Sequence, residues 1–110
     1  MVEECIFCKI VKGDIPSQKI AETDQLIAFK DINPKAPHHY LIIPKKHLSD
    51  LRDFQEQDME LGSKMFILAQ KIAKDLGDIQ FRLVMSNGYD VGQRIKHVHL
   101  HFLAGKKFEE

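Results

Sequence analysis

Net charge is missing from this chain of 110 residues: sixteen Lys and Arg are matched by sixteen Asp and Glu, with a sequence pI near 7.0. A domain built mainly to hold nucleic acid by its phosphates carries a basic excess, so nucleic acid is not an expected partner. Long apolar runs are missing too, and the start, Met1-Val2-Glu3-Glu4, is acidic. Neither a signal peptide nor a membrane span is expected, which leaves the cytoplasm as the default location. No internal repeat, low-complexity tract or interdomain linker is visible, and the length suits one domain over residues 1–110. Cysteine is scarce. The only two, Cys5 and Cys8, are spaced C-x-x-C, a pattern shared by zinc knuckles, redox pairs and chance. A redox pair should follow a strand, and only Val2-Glu3-Glu4 lies between Met1 and Cys5, which argues against that reading. As a zinc site it is half a ligand set, and the other half must come from the six histidines: His38, His39, His47, His97, His99 and His101.

What the chain does have is His97-Val98-His99-Leu100-His101-Phe102-Leu103. Three imidazoles alternate with apolar residues, the period of a strand with one packed and one wet face. Val98, Leu100 and Phe102 should enter a core while the histidines share the other side. Imidazole titrates near neutrality and serves as nucleophile, acid, base or metal ligand. One metal held by all three is not expected, on grounds of reach. At about 3.3 Å per residue the outer pair lies roughly 13 Å apart, whereas zinc needs each nitrogen at about 2.0–2.1 Å. Divided roles along the strand are expected instead.

Around that strand the chain reads as α+β. Residues 6–12 suit a short helix broken at Gly13, and 19–22 with 26–30 form a hairpin around Thr23-Asp24-Gln25. Residues 31–37 carry two prolines and form a loop; 39–43 is a strand closed by Pro44, followed by a turn at 45–48. A long helix is expected from Asp53 to Leu76, with Asp53 and Glu56 as a capping pair and Gly77 as its stop. Leu61, Met65, Leu68, Ile72 and Leu76 give it one apolar stripe, and Met59 and Phe66 are expected in the core with Met65. Residues 81–85 form a strand, 86–93 a Gly-rich loop, and 106–110 a frayed tail. The result is an antiparallel meander sheet with one long helix and a short N-terminal helix. The long helix covers one sheet face and leaves the histidine face open for ligand. Backbone N–H groups at Gly92 and Gln93 are candidates to cradle a phosphate.

The His97–Leu103 run resembles the signature of the histidine triad (HIT) family, and the likeness extends over nearly the whole chain. It includes Ile6-Phe7-Cys8-Lys9-Ile10, Leu26-Ile27-Ala28-Phe29-Lys30-Asp31-Ile32, Ala36-Pro37, Leu41-Ile42-Ile43-Pro44-Lys45-Lys46-His47 and Gly92-Gln93. The branch it most resembles is the histidine triad nucleotide-binding, or Hint, group.

That resemblance implies a HIT-like fold, a homodimer with a sheet continuous across two subunits, and a purine nucleotide pocket on each. It implies hydrolysis of a nucleoside phosphoramidate or aminoacyl adenylate, with AMP as product. His99 would be the nucleophile that carries the nucleotide, and His101 would hold phosphoryl oxygens and share protons. Asp31 would accept from ribose hydroxyls, while Ile6, Phe7, Phe29 and Ile32 enclose the base. Ser86, Asn87, Gly92, Gln93 and Arg94 would complete the nucleotide site. Two positions depart from the family pattern: Arg94 stands where Ser or Thr is usual, and Ser86 where Asn is common. The resemblance further implies a structural Zn2+ held by Cys5, Cys8, His47 and His97. Its rival is a metal-free relay from His47 through His97 to His99. In either case His38 and His39 are expected to be structural strand-edge residues. The competing functions are dinucleoside polyphosphate hydrolysis and a zinc-stabilised nucleotide-binding module with little turnover.

Overall fold

A computed structural model describes residues 5–109; the acidic start at 1–4 and the last residue of the tail lie outside it. Helix α1 (Ile6–Lys12) begins at Cys5, whose Sγ accepts the N–H of Cys8 at 3.3 Å, and ends at Gly13. Gly13 has φ +84°, a left-handed conformation that glycine adopts without steric cost, and its N–H closes the helix on Ile10. Strands β1 (Lys19–Glu22) and β2 (Leu26–Lys30) form the expected hairpin, its turn held by Thr23. Strand β3 (His38–Pro44) follows the proline loop, and β4 (Phe81–Val84) and β5 (Leu100–Ala104) complete the sheet.

All neighbours are antiparallel in the order β1-β2-β3-β5-β4. The meander is interrupted once, because helix α2 (Met59–Asp75) carries the chain across the sheet and β5 inserts between β3 and β4. Helix α2 starts later than Asp53. Two short 3-10 turns, Leu51–Asp53 and Glu56–Asp58, occupy the preceding stretch, separated where Phe54 extends and buries its ring. The caps are accordingly Asp50, which accepts from Arg52 N–H, and Asp58, which accepts from Gln55 N–H, not Asp53 and Glu56.

The sheet is covered on both sides. Leu61, Met65, Leu68 and Ile72 of α2 pack on Leu26, Ala28, Tyr40 and Ile42, with Val98, Leu100 and Phe102 in the same cluster. On the other face α1 sets Phe7 and Ile10 against Ile27, Phe29, Leu41 and Ile43. The histidine face is therefore roofed at one end, contrary to the open face expected, because β2 and β3 are apolar on both sides and need two covers. Met59 and Phe66 also depart from expectation: both point outward from α2, and only Met65 joins the core. The tail is folded rather than frayed over its described part. Arg82 lies 5.5 Å from the Phe108 ring and donates to the Glu109 carbonyl at 3.1 Å.

Candidate active site and metal centre

The three triad histidines have three different surroundings. β5 begins only at Leu100, so His97 and His99 approach it on irregular chain, and the histidines do not form one wet face. His97 is 0 % exposed. Its Nε2–H donates to the Pro44 carbonyl at 2.7 Å, which leaves the Nδ1 lone pair turned toward Cys5 Sγ (3.4 Å), Cys8 Sγ (3.5 Å) and His47 Nδ1 (3.2 Å). His47 Nδ1 lies 3.3 Å from Cys8 Sγ.

Those four residues fit a zinc ion. Sulfur at about 2.3 Å and nitrogen at about 2.0–2.1 Å on a tetrahedron place nitrogen about 3.3–3.6 Å from its neighbouring ligand atoms, close to the spacings present. All four ligand atoms lie within 4.8 Å of one another. The protein alone disfavours charge there: burial first, then the neighbouring Cys5, push the Cys8 thiol up to about 11. A divalent cation reverses that preference by stabilising the thiolates. The Pro44 carbonyl is the outer partner that sets the tautomer of a ligating imidazole. Four protein ligands close the coordination shell, so a metal here ties α1 to the end of β3 and to the start of the triad.

His99 is 8 % exposed yet lines the main cleft, which has a volume of about 1260 Å³. Its Nδ1–H donates to the His97 carbonyl at 2.8 Å. A carbonyl can only accept, so the proton is on Nδ1 and the lone pair is on Nε2. Burial lowers the His99 pKa below the usual imidazole range and keeps the ring neutral. The bond runs to the main chain of His97 and not to its ring, so the His47–His97–His99 ring relay is not formed. Phe7 wedges edge-on against both rings, 5.9 Å from His97 and 5.2 Å from His99. It thus lines the cleft mainly by fixing the histidines in place.

His101 lies on β5 opposite Leu41 and Val84. Its partner is His39, which the sequence suggests only as a structural strand-edge residue. The Lys35 N–H donates to His39 Nδ1 at 3.0 Å, so His39 carries its proton on Nε2. That proton faces His101 Nδ1 at 2.9 Å, with Asp31 Oδ2 3.4 Å away. His101 must then hold its own proton on Nε2. Burial, followed by the charges of His99 and His39, pushes His101 down to about 4. The one signal for His39 in the sequence was parity: residues 39 and 41 share a face of β3, and Leu41 pairs with His101.

The remaining expected residues divide. Phe29 and Asp31 line the cleft, with Asp31 Oδ1 also accepting the Asn33 N–H at 2.8 Å. Ile6 and Ile32 line it as well, but Ile32 is 91 % exposed and sits at the rim rather than enclosing anything. Gly92 and Arg94 line it from the loop that precedes β5. Three expected groups are placed elsewhere or already bonded. Ser86 and Asn87 do not line the cleft, and Asn87 Oδ1 instead accepts the Leu51 N–H at 2.7 Å. Gln93 is buried, its side chain bracing the loop by accepting from Gly88 N–H and donating to the Ser49 and Ile95 carbonyls. The phosphate cradle expected at Gly92 and Gln93 is spoken for, since their N–H groups donate to Tyr89 and Gly88 carbonyls. His38 belongs to neither site and bonds Tyr40.

The family model for "Scavenger mRNA decapping enzyme C-term binding" matches residues 4–109. An uncharacterized HIT-like protein of Synechocystis is 46% identical over 98% of this chain and 96% of its own. The chain belongs to the histidine triad family. A HIT relative, the purine nucleoside phosphoramidase of Escherichia coli K12, is 37% identical over 96% of this chain and 91% of its own. The histidine triad protein from Clostridium difficile, whose structure is solved, superposes with a TM-score of 0.94 at 45% identity, covering 98% of this chain and 96% of that one. HIT membership and the antiparallel α+β fold thus agree at the level of sequence and of architecture. No helix among the described residues is long and apolar enough to cross a membrane.

Proposed function

We propose that this HIT protein hydrolyses purine nucleoside 5'-phosphoramidates, and related aminoacyl adenylates, through a nucleotidyl intermediate on His99. The observation that carries the reading is the Nδ1–H of His99 on the His97 carbonyl, 2.8 Å away, which leaves Nε2 as a neutral nucleophile in the cleft. Burial that lowers its pKa means no proton need be removed before attack. The name of the Escherichia coli relative supports the P–N substrate class.

In the first step Nε2 of His99 bonds to phosphorus and the P–N bond breaks. Its electron pair stays on the departing nitrogen, which takes a proton from water. The imidazolium so formed is stabilised through Nδ1–H by the His97 carbonyl. His101, with its proton on Nε2, donates to a phosphoryl oxygen as charge grows there. In the second step water attacks phosphorus and loses a proton to the hydroxide left by the first step, the bond to Nε2 breaks, its pair returns to His99, and AMP leaves. Asp31 at the cleft takes the ribose hydroxyls, and Phe29 and Ile6 supply apolar surface for the base.

Zn2+ on Cys5, Cys8, His47 and His97 would serve a structural role, holding the chain segment that aims His99. A homodimer is part of the same reading; the outward-facing Phe66 and Ile67 of α2 are the apolar surface it would cover. The deciding assay uses adenosine 5'-phosphoramidate. AMP release by the wild type, a histidine adenylate mapped to His99 after acid-free quenching, and loss of release by more than about a thousandfold in His99→Ala are expected. Equal rates for the two proteins would overturn the role of His99.

A further inference from the structure

The cleft lining is lopsided in a chain without net charge. Its charged side chains are Lys30, Lys35, Arg94 and Lys106 against the single carboxylate of Asp31. Their positions differ. Asp31 follows β2, whereas Arg94 belongs to the segment joining β4 to β5, and the sheet order is β2-β3-β5-β4. His99, just before β5, stands five residues after Arg94 on that segment, and all three residues line the one cleft. With a nucleoside at Asp31 and its phosphorus at His99, Arg94 is the cation of the β4–β5 segment left to meet what lies beyond phosphorus.

Arg94 is also held in place. Nη1 donates to the Tyr89 carbonyl at 2.8 Å, and the guanidinium carbon lies 4.1 Å from the centroid of the Tyr89 ring. Stacking and the Nη1 hydrogen bonds, to Tyr89 and more weakly to the Gln93 carbonyl at 3.5 Å, fix the plane of the fork. Nη2 and Nε have no protein acceptor among the described residues. A planar guanidinium with free donors on adjacent nitrogens matches the two oxygens of a carboxylate or phosphate.

We infer, resting on the reading above, that Arg94 makes this site select substrates whose leaving group is an anion, a carboxylate-bearing amine or a further phosphate, over those with a neutral leaving group. A hydroxyl-bearing residue at this position could hydrogen-bond many leaving groups but would not discriminate by charge. Arginine does so by attraction.

The test measures binding with chemistry switched off. In a His99→Ala background, calorimetry compares two adenosine 5'-phosphoramidates, one with glycine as the amine and a free carboxylate, the other its neutral methyl ester. Diadenosine tetraphosphate is the phosphate arm. With Arg94 present the carboxylate ligand should bind about tenfold tighter than the ester, as a charge-assisted fork allows. In Arg94→Gln that preference should collapse to near one, and Arg94→Lys, which keeps charge without the fork, should restore part of it. Tyr89→Ala should weaken the preference by freeing the guanidinium. Loss confined to diadenosine tetraphosphate still supports an anionic leaving group and names phosphate as its source. An unchanged ratio, or equal weakening of anionic and neutral ligands, overturns the inference, because Arg94 would then be idle or would grip the phosphoryl group common to all. Failure of the wild type to hydrolyse any of these compounds counts against the proposed chemistry, whereas the affinity ratio, read without turnover, decides the role of Arg94 independently.

Discussion

Replacing His39 with Phe keeps a ring of similar size in a buried slot while deleting both nitrogens. Two bonds disappear: the Lys35 N–H loses its acceptor at 3.0 Å, and His101 loses the Nε2–H that faces its Nδ1 at 2.9 Å. The second loss matters for chemistry. With His39 present only one neutral tautomer of His101 is satisfied, the one that holds a proton on Nε2 for the phosphoryl oxygen. A net hydrogen bond is worth about 0.5–1.5 kcal/mol, so releasing that bias should lower kcat/KM by about three- to tenfold at pH 7, mostly in kcat. The pH response has a definite sign. His101 is pushed down to about 4, by burial first and then by the charges of His99 and His39, while Asp31 opposes. Removing His39 deletes one downward influence and leaves Asp31, so the His101 titration should move up, yet stay below the ordinary value of about 6.5 because burial persists. In the wild type the unfolded chain binds the His101 proton more readily than the folded one between about 6.5 and about 4. Stability from this group is therefore present above about pH 6.5 and lost as the pH falls toward about 4. Proton NMR of the imidazole C–H resonances, kcat/KM from pH 4 to 8 and thermal midpoints over the same range read all three. An unchanged His101 midpoint with unchanged kcat/KM in His39→Phe would refute the pairing.

Three further outcomes follow from the four-residue Cys/His cluster and the core. Protein purified without chelator should contain about one zinc per chain. Cys8→Ser, which removes a ligand that meets both His47 and His97, should cost at least about 2 kcal/mol, or about 8 °C or more in Tm for a domain of this size; metal analysis with calorimetry checks both. Phe102 is fully buried and stacked between Tyr40 at 5.7 Å and Phe81 at 4.8 Å. Phe102→Ala should destabilise by about 3–5 kcal/mol through the cavity it leaves, without altering the affinity for AMP of the fraction that stays folded; urea unfolding and AMP titration separate the two effects.

How far the sequence reached depends on how local each signal was. The hairpin at Thr23, the helix stop at Gly13 and the core side of Val98, Leu100 and Phe102 are set by neighbouring residues, and all three were legible. The start of α2 was not, because Asp53 and Glu56 look like a cap until Phe54 is drawn into the core between two short turns. Gly92 and Gln93 look like free phosphate donors until the loop's own carbonyls claim them. Local pattern cannot report a competition settled by contacts elsewhere in the chain.

By itself the sequence determined the alternating triad, the half ligand set at Cys5 and Cys8, and the order of motifs that marks the histidine triad family. Tertiary structure alone decided how those pieces divide the work. It joined Cys5 to His97 across 92 positions, turned His97 toward Cys8 and His47 and His99 into the cleft, and set His39 beside His101 across 62. The physical reason is that an imidazole's role is fixed by which of its two nitrogens is already bonded. Those partners, the carbonyls of Pro44 and His97 and the ring of His39, are supplied by folding rather than by spacing along the chain.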